Sequence, residues 1–126
     1  MSPRSIGKLV VRLDRVVFTS GTDLKAAVGR LSGCRTVSDY ALQNLDAGPY
    51  RGPYGRVRHL VNDSTKTRVV VSYRPRYRWL PWMRVAVVPD DLSGLRRREL
   101  TRILQAFATY QLSTVEMAID FRGRRI

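Results

Sequence analysis

Hydrophobic and polar positions along the chain alternate with period two in some stretches and recur with period 3.6 in others. Residues 8–19 (KLVVRLDRVVFT) are rich in β-branched side chains and predict a long first strand. On a regular strand Leu9, Val11, Leu13 and Val17 share one face, and Val10, Arg12, Asp14, Val16 and Phe18 share the other. A helix is expected next, with Thr22 as N-cap, Asp23 at its positive end, and Leu24, Ala27, Val28 and Leu31 on one face. Gly33 is placed to end it. Residues 34–55 show no sustained period and contain Gly-Pro-Tyr twice, so they read as a loop.

Strands are expected at 56–61, 67–73 and 82–88. A polar turn at 62–66 joins the first two, and the Pro75 and Pro81 segment interrupts the second pair. Residues 93–112 are the clearest helix, with Leu100, Ile103, Leu104, Phe107 and Ala108 as its apolar stripe. Arg98, Arg102, Gln105 and Thr109 follow on the opposite face. In the last strand, 113–121, Val115, Met117, Ile119 and Phe121 alternate with Glu116, Ala118 and Asp120. The pattern predicts a single α+β domain over 1–126. Its antiparallel sheet has about five strands in the order β-α-β-β-β-α-β, with both helices packed on one face. The other face is then left for a ligand.

Charge changes this picture from a generic domain to one with a polyanionic partner. The 126 residues carry 23 basic and 10 acidic side chains, a formal net charge of +13. Such an excess works against the compact state by self-repulsion. Nucleic acid is the first candidate partner and an anionic membrane surface the second. All the basic residues except Lys8, Lys25 and Lys66 are arginine, which suits bidentate contacts to phosphate and stacking on bases. Charge and stacking serve RNA as well as DNA. Cys34 is the only cysteine and His59 the only histidine, so no intramolecular disulfide, cysteine zinc cluster or His-X-His metal site is expected. No Gly-Lys-Ser/Thr phosphate loop or Ser/His/Asp constellation is present. Neither a secretory signal core nor an apolar run near the ~20 residues of a membrane span occurs, so a soluble, cytoplasmic protein is expected. A sheet with one uncovered face could also form a homodimer edge to edge.

The basic and aromatic segment 73–84 is the strongest binding signal. Arg74, Arg76, Arg78 and Arg84 interleave with Tyr77 and Trp79, the combination that funnels a strand electrostatically and stacks its bases. The alternative is that Trp79 and Trp82 are core aromatics and the arginines solvated. A second group, Arg96, Arg97, Arg98 and Arg102, marks the start and outer face of the second helix, where positive charge opposes the macrodipole unless an anion is present. Arg122, Arg124 and Arg125 form a third group after the last strand. Glu116 and Asp120 are candidate catalytic or Mg²⁺/Mn²⁺-binding carboxylates. Four residues along a strand place their Cα atoms ~13 Å apart, so a shared metal needs a ligand from a neighbouring strand, such as Asp14 or His59. Pairing of both carboxylates with arginines across the sheet is the simpler alternative.

Residues 69–122 carry a sequence of features that resembles the first half of plasmid and phage rolling-circle replication initiators. It runs from a strand ending near Tyr-Arg-Pro, through Trp-Met-Arg-Val-Ala-Val-Val-Pro-Asp-Asp-Leu and an Arg-Glu-Leu-Thr-Arg-Ile-Leu helix, to Leu-Ser-Thr-Val-Glu-Met-Ala-Ile-Asp-Phe. By that resemblance Glu116 and Asp120 hold the acidic positions of the family strand. Thr114-Val115 stands where the family usually has an arginine before the acid. The nicking tyrosine and further carboxylates of those proteins belong to the half that follows. The resemblance therefore implies a DNA-binding module of a mobile-element replication system. A metal-dependent nicking or strand-transfer enzyme using Glu116 and Asp120 is a second reading. A structural protein that packages nucleic acid or joins a ribonucleoprotein is a third.

Overall fold

A computed structural model of the chain describes residues 7–31, 33–41, 53–90 and 95–123, with side chains described at 12–31, 33–41, 53–90 and 95–117. The elements follow the order β1 (Gly7–Ser20), α1 (Leu24–Arg30), β2 (Cys34–Ala41), β3 (Tyr54–Asn62), β4 (Arg68–Pro75), β5 (Met83–Val88), α2 (Arg97–Ala106) and β6 (Gln111–Gly123). Together they make an α+β domain with one six-stranded sheet in the spatial order β2-β3-β4-β5-β1-β6. Every pairing is antiparallel.

Register shows how the helices are placed. The cross-strand row Val16, Val87, Val69 and Leu60 and the row Phe18, Val85 and Val71 lie on one sheet face. These side chains are buried together with Ala27 and Leu31 of α1 and with Ile103, Ala106 and Phe107 at α2. Both helices therefore cover the same face. Phe18 sits at the centre, meeting Phe107 edge-on at 5.2 Å and Tyr110 at 6.0 Å between ring centroids. The end of α2 is tied to β1 by buried Ser20, whose hydroxyl donates to the Thr109 carbonyl at 2.6 Å and the Phe107 carbonyl at 3.2 Å. Ala108 takes φ +46° at this point, which stops the helix.

The sheet differs from the sequence expectation in three ways. Residues 34–41 form a sixth strand, β2, where a loop was expected. It is an edge strand, mostly exposed on both faces, so its ladder to β3 holds it without an apolar alternation that sequence could reveal. A register shift between Leu13 and Arg15 opens a bulge at Asp14. It moves Leu13 onto the face of Val16 and Phe18, against the core, instead of the face of Val17. Finally, the apolar face of β6 is not buried where its side chains are described: Leu112, Val115 and Met117 are exposed at the sheet edge, beyond the reach of the helices.

The helices are shorter than their patterns. In α1 the N-cap is Asp23, whose carboxylate accepts from the Ala26 N–H at 3.2 Å, and not Thr22. The Thr22 hydroxyl instead donates to the Phe107 carbonyl. Gly33 adopts φ +81°, a left-handed conformation that glycine enters at little cost, and so turns the chain from α1 into β2.

Candidate nucleic-acid interface

The connection from β4 to β5 projects beyond the sheet. Its base is anchored on β3: the Arg76 N–H donates to the Pro53 carbonyl at 2.8 Å, and the Tyr54 hydroxyl to the Pro81 carbonyl at 2.9 Å. Burial pushes the Tyr54 phenol pKa up, with the positive charge of Arg84 acting the other way. Beside this anchor Arg74 takes φ +57°, which costs a non-glycine residue roughly 1–2 kcal/mol. Its register partner is Gly55, where an added Cβ would stand 3.4 Å from the Arg74 carbonyl.

At the tip Tyr77 and Trp79 stack face to face, with centroids 4.8 Å apart and planes inclined by 16°. Trp79 is 77% exposed and Trp82 61%, so neither tryptophan belongs to the core. Apolar surface of this size usually buys stability only when buried. Arg74, Arg78 and Arg84, near the pair in sequence, are exposed.

Arg84 also belongs to a larger surface, the sheet face opposite the helices. Cross-strand register places it in a row with Thr19, Ser72, Val57 and Tyr40. A neighbouring row contains Val17, Ala86, Val70, His59 and Ser38, and a third contains Val88, Arg68, Val61 and Arg35. Tyr40 and His59 stack at 5.8 Å and 17°, with the phenol oxygen 3.3 Å from Nε2. Arg35 is paired with Asp63 at 2.8 Å, whereas Arg68 and Arg84 form no ion pair among the described residues. Arg68 was missed by sequence reading. Only the strand register puts it on the same face as Arg84.

The second arginine group lies at the other end of β4. Arg96, Arg98 and Arg102, with Arg30 of α1, line a cleft of about 580 Å³ beside the turn that joins β3 to β4. The eight residues of β4 separate this cleft from the aromatic tip by roughly 23 Å. Arg97 faces a shallower depression with Arg98 and Arg102. The sequence groups 74–84 and 96–102 therefore do not converge on one point. Arg122 is in β6 opposite Lys8, and Arg124 and Arg125 lie outside the described residues.

The carboxylate candidates fall on the edge strand. Glu116 pairs across the sheet with Arg15, at 3.8 Å between Oε1 and Nη1. Asp120 is opposite Val10 in the ladder, and its side chain lies outside those described. Asp14 accepts from Arg12 Nε at 3.0 Å. His59 is on β3, four strands from Glu116, or ~19 Å across the sheet, which is too far for one shared ion. Among the described residues no three His, Cys, Asp or Glu side chains come together as a metal site.

A polar cluster that no sequence motif announces occupies the helix-side face near β2. Asp39 accepts from the Tyr73 hydroxyl at 2.7 Å, from Arg58 Nη2 at 2.8 Å and from Arg56 Nη2 at 3.2 Å. Burial alone would raise the Asp39 pKa, but the hydrogen bonds from Tyr73, Arg58 and Arg56 outweigh it and hold the carboxyl below its ordinary value. The Arg56 guanidinium pKa is raised by its hydrogen bond to the Tyr73 hydroxyl and then by that to Asp39, and the Arg58 pKa is raised chiefly by its hydrogen bond to Asp39. Asp39 thus neutralises one of two adjacent arginines and fixes β2 to β3 where apolar contacts run out. No helix of the described residues is long and apolar enough to cross a membrane.

No protein-family model matches the chain, and neither a curated protein nor a solved structure matches it.

Proposed function

We propose that the chain is a nucleic-acid-binding domain that holds single-stranded DNA, stacking unpaired bases on Tyr77 and Trp79 and pairing phosphates with the surrounding arginines. The observation that carries this reading is the exposed, parallel Tyr77–Trp79 stack at the end of an arginine-bearing loop. An exposed tryptophan in water is a poor use of apolar area, and a π-face offered to solvent suits any base. Arg74 and Arg78 flank the stack in sequence, and Arg84 continues the positive surface onto the sheet face opposite the helices, which also carries the exposed Arg68. The net charge of +13 supplies the long-range attraction. The resemblance to rolling-circle initiators supplies the setting: a DNA-binding module acting in the cytoplasm in the replication of a mobile element.

Fluorescence anisotropy with matched single-stranded DNA, duplex DNA and RNA tests this, at about 50 and 200 mM salt. Single-stranded DNA is expected to bind most tightly. Affinity should fall steeply with salt, by ~10³–10⁵ for a duplex if 6–10 phosphates are neutralised. Weak binding to all three, or an affinity indifferent to salt, rejects the reading.

A further inference from the structure

The cleft between α1, α2 and the β3–β4 turn is a cavity that the aromatic tip does not explain. Among the described residues its walls carry Arg30, Arg96, Arg98 and Arg102 against one acid, Glu99. Asn62, Thr65, Glu99 and Arg30 of the wall are already engaged. The Asn62 side-chain oxygen accepts from the backbone N–H groups of Ser64 and Thr65, which shapes the turn. The Thr65 hydroxyl then donates to Glu99 at 2.6 Å and joins the turn to α2. Arg30 Nη1 donates to the Ala106 carbonyl at 3.3 Å. Glu99 is therefore engaged by a hydroxyl, and among the described residues no carboxylate pairs with Arg96, Arg98 or Arg102.

Arg98 and Arg102 are one helical turn apart on the same face, a spacing at which like charges repel. Arg96 is the N-cap residue and makes no side-chain capping bond, at the end of the helix where positive charge is least favoured. Guanidiniums at a preformed cleft, with Glu99 turned to another partner, are an arrangement completed by an anion. The volume, about 580 Å³, falls in the range of small-molecule pockets and exceeds what one inorganic ion needs. A groove that tracks a polymer would spread its charges along a line. Here Arg30 of α1 and Arg96, Arg98 and Arg102 at α2 line the same cavity, which favours the concentrated double charge of a phosphate monoester over a single diester.

We infer that this cleft is a binding site for a phosphate monoester of nucleotide size, gripped by Arg96, Arg98 and Arg102 and backed by Arg30. The monoester is either the terminal phosphate of a nucleic-acid strand or the phosphate of a free nucleotide. The inference rests on the cleft alone and stands independently of the stacking platform roughly 23 Å away.

Isothermal titration of the full chain with inorganic phosphate and with adenosine 5′-monophosphate tests the site. Anisotropy with a ten-nucleotide strand bearing a 5′-phosphate or a 5′-hydroxyl separates the two sources. Adenosine monophosphate should bind more tightly than inorganic phosphate if the free nucleotide is the ligand. A preference for the phosphorylated strand, with no binding of the mononucleotide, identifies the strand end. In either case Arg98→Gln and Arg102→Gln should each weaken the phosphate-dependent binding about tenfold or more, because each removes a charge-assisted hydrogen bond. Both side chains are exposed, so an unchanged melting temperature verifies folding. Trp79→Ala should leave mononucleotide and inorganic-phosphate binding unaltered, which separates this site from the proposed strand-binding function. No binding of phosphate or nucleotide together with equal affinity for the two strands overturns the inference. So does phosphate-dependent binding that survives both arginine substitutions.

Discussion

Replacing Trp79 with alanine isolates the contribution of the aromatic platform. Trp79 is 77% exposed and its one ring partner is Tyr77, itself 39% exposed. Little buried area is lost when the indole goes, so the folded state should change by no more than about 0.5 kcal/mol, the ordinary range for surface substitutions. Binding should change far more. Stacking of a base on an aromatic side chain is worth ~1–3 kcal/mol, which corresponds to a loss of about 5- to 150-fold in affinity. The loss should appear with single-stranded oligonucleotides and shrink with duplex, whose bases are not available to stack. Thermal melting and fluorescence anisotropy on the same preparations read the two quantities. The salt dependence of binding should keep its slope, since no cation has been removed. An affinity for single strands within twofold of the parent protein would refute the platform, because an exposed stack that contacts bases cannot be deleted without cost. Equal losses for single strand and duplex would refute stacking as the mode of contact.

Phe18→Ala should destabilise the domain by about 3–5 kcal/mol in urea titration, because Phe18 is fully buried and packs edge-on against Phe107 at the junction of the sheet and α2. Arg74→Gly should raise stability by up to about 1 kcal/mol: relief of the left-handed φ gains roughly 1–2 kcal/mol, and the added freedom of the unfolded chain returns part of it. The same substitution should weaken DNA binding and flatten its salt dependence. The hydrogen bonds on Asp39 favour its charged form, so they contribute stability that is fully present above the ordinary carboxyl pKa of 3.8 and is lost as pH falls through the lower value in the folded protein. Asp39→Asn should therefore lower the melting temperature at pH 7, and the gap to the parent protein should close below about pH 3.8. A gap that stays constant down to acid pH would show that Asp39 contributes no charge-dependent stability.

Periodicity along the chain determined the class of the fold, because local burial is written into local spacing. The two helices and five of the six strands stand where alternation and the 3.6-residue stripe place them. The basic and aromatic tip was legible in part: Pro75 and Pro81 lack a ladder donor and bracket Tyr77 and Trp79. Only the structure showed that Pro75 still ends β4 opposite Tyr54 and that Trp79 is exposed and not a core aromatic. Tertiary structure alone decided the rest. β2 is invisible in sequence because an edge strand is held by backbone bonds to one neighbour and needs no apolar face. The bulge at Asp14 transfers Leu13 from one face of β1 to the other, and a one-residue slip leaves no mark in composition. Arg68 joins Arg84, and Arg30 joins Arg98 and Arg102, through register and helix packing across dozens of residues. Asp39 meets Arg56, Arg58 and Tyr73 for the same reason. The sequence separately supplies charges in excess. Only the tertiary structure, with β4 running between the two arginine groups, divides them into a stacking tip and a cleft.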